Sequence, residues 1–164
     1  MLYFYNIFGN TGCEGQAMER NFNVATTIHR SIEDVFNAIV EREQLVQYFT
    51  DSADRGLDTP GRTVWHWTNW GDHPVTVTRV EAPRLIEFTI NSGDWSKTEA
   101  DHYNIICAIE LETLETGATK VSISERGWKT DPTSIKASHE QCGGWMHMVL
   151  CLKAYLQHGI DLRE

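Results

Sequence analysis

The chain has 164 residues, 41% of them hydrophobic, and carries a formal charge of -9. A pI near 5.2 and a mean hydropathy of -0.38 fit a soluble globular chain of one domain. The acidic balance argues against nonspecific nucleic-acid binding, and no apolar run approaches the ~20 residues of a membrane span.

Residues 1–20 read differently from the rest. Leu2-Tyr3-Phe4-Tyr5-Asn6-Ile7-Phe8 is an aromatic run, followed by a Gly-rich stretch. It has neither the basic start nor the apolar core of a signal peptide. It reads as a flexible leader or extra residues, with an added edge strand or flap as the alternative. The domain is expected over 21–164.

Phe22, Val24, Thr26 and Ile28 alternate with polar or small neighbours, which predicts a half-buried strand. Ser31 then caps a helix whose stripe is Ile32, Val35, Phe36 and Ile39. A second short helix is expected over 43–49, then a polar loop over 51–61. From Thr63 the period switches to two. Trp65 and Trp67 share one face of that strand and His66 takes the other. Residues 69–74 read as a turn, and strands follow at 75–81 and 85–90, with Phe88 beside Ile86 and Ile90. Residues 91–101 form a polar loop. Cys107, Ile109 and Leu111 alternate with Glu110 and Glu112, and Thr119, Val121, Ile123 and Glu125 continue an apolar face.

The last element is a long helix opening at Asp131-Pro132-Thr133 and closing at His158-Gly159. Trp145, Met148, Val149, Leu152, Tyr155 and Leu156 share its greasy face. Towards the N-terminus that face turns polar, through Ser134, Ser138, Gln141 and Cys142. The order predicts an α+β fold. A curved six-stranded antiparallel sheet wraps the C-terminal helix, two short helices follow strand one, and strand one pairs beside the last strand.

These residues resemble a known family. Val24–Ile28, Ser31–Ile39 and Val80–Phe88 are similar to the START-like (SRPBCC) superfamily. Glu125-Arg126-Gly127-Trp128, Gly144-Trp145 and Leu152–Gly159 look like its heat-shock-protein-90 ATPase activator homologue branch. The resemblance spans about residues 21 to 161 and implies a helix-grip fold with a hydrophobic cavity between sheet and helix. It extends to lipid and hormone binders, co-chaperone domains and cyclases, so it does not name one activity.

The expected ligand site lies in that cavity. Trp65, Trp67, Phe88, Ile109, Trp145 and Val149 would form an apolar wall, with Glu125, Ser138, Gln141 and Cys142 as polar groups. The two indoles can equally pack on the outer face. The expected partner is a small apolar or amphipathic ligand. A chaperone contact of the co-chaperone type is the alternative, and a cyclase or hydrolase the third reading. No nucleophile, base and orienter assemble, so no catalytic residue is assigned. His139 with Cys142, and His147 with Cys151, have ligand spacing but lie on opposite sides of the helix, so no metal site is assigned and no cofactor is expected. Four cysteines without a CxxC pair read as free thiols of a cytoplasmic protein. The outer face of the helix, with Leu150, Cys151 and Ala154, is apolar enough for a homodimer.

Overall fold

The computed structural model describes residues 21–96 and 102–163. The expectations for residues 1–20, and for 97–101 of the second loop, lie outside them.

β1 (Phe22–Ile28) leads to α1 (Ile32–Val40), where Ser31 Oγ accepts from the Asp34 N–H at 3.1 Å as the cap. Val35, Phe36, Ala38, Ile39 and Val40 are its buried stripe. α2 (Arg42–Leu45) is shorter than the spacing suggests, and a turn carries the chain through Phe49. Residues 52–53 are not loop. They form β2 (Ser52–Ala53), which pairs with β3 (Gly61–Trp67). Two residues have no readable period, so pairing alone reveals this strand.

β4 (Gly71–Glu81) begins four residues earlier than expected. Gly71 turns the chain at φ 88°, and Pro74 stands opposite Val64. β5 (Leu85–Asn91), β6 (Asn104–Thr113) and β7 (Thr119–Arg126) complete the meander. α3 (Ser92–Ser96) occupies the start of the expected second loop. Among the described residues the sheet has seven strands rather than six, in the order β1-β7-β6-β5-β4-β3-β2, so the first strand does pair with the last.

α4 (Pro132–His158) crosses the sheet. Asp131 accepts from the Ser134 N–H at 3.0 Å, Pro132 opens the first turn, and Gly159 closes the helix in the left-handed region at φ 65°. Trp145, Met148, Val149, Cys151 and Leu152 are buried. Cys151 therefore belongs to the inner face, not the outer one. Leu150 is exposed, with Met146 and Ile135.

Gly143 and Gly144 sit mid-helix. Among the described residues, a Cβ at either meets nothing within 4 Å. Glycine costs a helix interior about 1 kcal/mol relative to alanine. Gly144→Ala should therefore stabilise the chain by about 1 kcal/mol, read as a higher urea midpoint at unchanged m value.

Candidate functional site

The inner face of the sheet is built in rows across the strands. One row runs Phe22, Glu125, Cys107, Phe88, Val77. The next runs Val24, Ile123, Ile109, Ile86, Val80. Strand alternation thus places a glutamate in an otherwise apolar row, under α4.

Five aromatic rings fill the space where β3, β5, the turn after α2 and α4 meet. Trp65 and Trp67 come from β3 on one shared face, and the structure turns that face inward. Phe49 stands edge-on to both, at 5.2 and 5.1 Å between centroids. Trp65 meets Phe88 at 5.6 Å and Trp145 at 6.4 Å, and Phe49 stacks on Trp145 at 6.0 Å. Such edge-to-face contacts add to the apolar area the rings bury. Trp65, Phe88 and Trp145 are buried, whereas Phe49 and Trp67 are half-buried. The Trp67 indole N–H donates to the Phe49 carbonyl at 2.7 Å, which fixes the rim of the cluster.

Glu125 lies beneath it, with 0% of its surface exposed. Its Oε1 accepts from the Trp145 indole N–H at 2.5 Å and its Oε2 from the Trp128 indole N–H at 2.6 Å. These donors favour the carboxylate, but desolvation is larger and pushes the carboxyl from 4.5 up to about 7. Burial first, and then the neighbouring Glu125 charge, push the Cys107 thiol well above its ordinary range. Arg126 points to the opposite face, where it pairs with Glu87 at 2.8 Å. The result is a carboxyl that exchanges its proton near neutrality while holding two indoles in place. One of those indoles belongs to α4.

The remaining expected residues fall around this centre. Ile109 and Val149 are buried in the core. Ser138 is buried, and its hydroxyl donates to the Ile135 carbonyl at 2.8 Å, within its own helix. Gln141 and Cys142 are half-buried at the flank of α4. The N-terminal end of α4 is tied to the sheet by the Tyr103 hydroxyl, which donates to Ser134 Oγ at 2.8 Å. Ser134 in turn donates to Asp131. Phe49, Trp128 and Tyr103 were not anticipated. None lies on a periodic stripe, so burial patterning carries no signal for them.

An open cleft of about 430 Å³ lies on the other side of the sheet, lined by Arg84, Glu110, Glu112, Lys120 and Ser122 among others. Glu110 and Glu112 thus face outward, as their alternation indicates. His147 Nε2 and Cys151 Sγ lie 3.4 Å apart. Among the described residues no three His, Cys, Asp or Glu side chains gather to hold a metal. No described helix is long and apolar enough to cross a membrane.

His66 takes the outer face of β3. Its Nδ1 lies 2.7 Å from Asp72 and its Nε2 3.1 Å from Asp54. These two hydrogen bonds, Asp72 first, raise its pKa above 6.5. The imidazolium thus ties β4 and the residue after β2 to β3. Because the folded value is the higher one, this tie is complete below pH 6.5 and is lost as pH rises through the folded pKa. An NMR titration should give His66 a midpoint that falls in Asp72→Asn.

A family model described as Activator of Hsp90 ATPase homolog 1-like protein matches residues 29–157, from the end of β1 to the last turn of α4. The chain belongs to this family. No curated protein matches it. Solved structures do. SSP2350 from Staphylococcus saprophyticus is 26% identical with a TM-score of 0.66, covering 87% of this chain and 96% of that one. The AHSA1 protein SPO3351 from Silicibacter pomeroyi is 19% identical with a TM-score of 0.60, covering 85% of this chain and 100% of that one. DynU16, a protein of the dynemicin biosynthetic locus, is 16% identical with a TM-score of 0.71. The match covers 87% of this chain and 49% of DynU16, so this chain spans about half its length. The last two likenesses show the fold alone. The START-like helix-grip architecture is thus shared, with the long helix laid across a curved antiparallel sheet.

Proposed function

We propose that this family member binds a small, planar, apolar or amphipathic molecule between α4 and the sheet. The observation that carries the reading is the buried Glu125 carboxyl, set among aromatic rings and held by an indole from the covering helix. A buried carboxyl that makes no salt bridge among the described residues costs stability, and ligand recognition is one return for that cost. The rings of the cluster touch one another, so a ligand enters by displacing Phe49 and Trp67, the two half-buried rings at the rim. Trp65, Phe88 and Trp145 then supply stacking surfaces. Glu125 supplies a polar anchor that donates when protonated and accepts when ionised. Ile109 and Val149 set the depth of the site, and Ser138, Gln141 and Cys142 its polar flank.

The test is tryptophan fluorescence titration of delipidated protein with fatty acids and planar aromatic compounds, with native mass spectrometry for stoichiometry. Saturable quenching at one site per chain, with affinity at least about tenfold weaker in Glu125→Gln, is expected. Unchanged fluorescence across the panel and a ligand-free mass remove the reading.

Family membership favours a second reading, an activator-type module acting on a chaperone. Stimulation of chaperone ATPase turnover by the purified chain is its measurement. A flat response rejects it.

A further inference from the structure

We infer that the outer face of α4 is a docking surface for a second copy of this chain, packed antiparallel about a two-fold axis near Gly143. Three observations converge on this.

First, the exposed apolar residues of α4 form one stripe. Ile135, Met146 and Leu150 are 42%, 38% and 45% exposed. At 3.6 residues per turn they fall within about 60° of one another, with His139 between them and Gly143 at the edge. The stripe runs about 22 Å along the helix at its standard rise.

Second, the stripe is self-complementary. Its midpoint lies between Cys142 and Gly143. A two-fold axis there sets Ile135 against Leu150 of the second copy, and His139 against Met146. The same operation sets Lys153 beside the Asp131 end of the other helix. The helix dipoles then run in opposite directions, which is their favourable arrangement. An isologous contact needs this match of a patch with itself.

Third, Gly143, at the edge of the stripe, has no packing partner inside the monomer: a Cβ there meets nothing within 4 Å among the described residues. At the point where two helices cross, a missing Cβ lets the axes approach closely. The second copy supplies the neighbour that the monomer lacks. Cys151 and Ala154, the other apolar candidates from the sequence, are buried and half-buried and take no central part.

A single helix pair is at the small end of stable interfaces, below about 1,200 Å². The dimer is therefore weak and concentration-dependent. Each copy also carries a net charge of -9, and these charges repel. Added salt screens that repulsion and leaves the apolar contact intact, so salt tightens the dimer.

Sedimentation velocity on the full chain, from about 1 µM to about 1 mM, tests the proposal. Monomer–dimer exchange that strengthens with salt is expected. Leu150→Asp and Gly143→Leu should each weaken it at least about tenfold, with circular dichroism of the dilute monomer unchanged. Gly143→Ala separates the two roles of the glycine: thermal unfolding of the dilute monomer rises while dimerisation weakens. A chain that stays monomeric across the range, leaving the face to solvent or a different partner, overturns the inference. So does a dimer that neither Leu150→Asp nor Gly143→Leu changes.

Discussion

Glu125→Gln should flatten the fall in stability expected of the wild-type chain between pH 4.5 and about 7. The sign follows from proton counting. The folded carboxyl holds its proton up to about 7, whereas the unfolded one releases it near 4.5. Between those values the folded state binds more protons, so stability falls as pH rises. A shift of this size is worth on the order of 3 kcal/mol between the two ends of the window. Glutamine does not titrate, so this component vanishes.

Glutamine has its own cost at low pH. A protonated carboxyl keeps a lone pair on each oxygen for its indole N–H, whereas the glutamine amide nitrogen accepts nothing. One indole N–H then lies buried without an acceptor, at about 1–3 kcal/mol. The two curves should therefore approach or cross. Wild type is the more stable at pH 5, and the variant matches or exceeds it at pH 8. Urea midpoints at a series of pH values measure this. Parallel curves would mean that Glu125 does not titrate between these limits.

Trp65→Ala should be the most destabilising substitution in the aromatic cluster, at about 3–5 kcal/mol. Trp65 is 1% exposed and meets Phe49, Trp67, Phe88 and Trp145. Its removal leaves a void walled by rings that α4 and the sheet hold apart. Free indole should bind there and raise the melting temperature of the variant, by mass action on the folded state. The wild-type protein should show a much smaller shift. If the variant loses less than about 1 kcal/mol, the rings have collapsed into the void. That outcome would show that the grip is softer than its contacts suggest.

Much of the architecture was legible along the chain because its causes are local. Alternation marked the strands from Phe22 to Ile28 and from Thr119 to Arg126, since side chains of a strand alternate between faces whatever it pairs with. Asp131, Pro132 and Gly159 marked the ends of α4, since capping is settled within a turn of the helix. Alternation also set Trp65 and Trp67 on one shared face and Glu125 on the apolar face of its strand, but which face the indoles take is decided by packing against α4. Rotation about α4 was less secure. Leu150 and Cys151 stand about 100° apart on a helix, and only packing shows that the cysteine is the buried one.

Three things waited for the tertiary structure. β2 is two residues long and exists because Ser52 and Ala53 find partners on β3; by itself it has no pattern. Phe49 reaches the aromatic cluster from a turn, where sequence period has no meaning. Glu125 was recognisable as an inward carboxylate, but its indole partners were not. Trp145 is twenty residues away and reaches it because α4 folds back across the sheet. The proton affinity of that carboxyl is therefore a property of the closed grip, since desolvation and donor placement depend on chain segments brought together by folding.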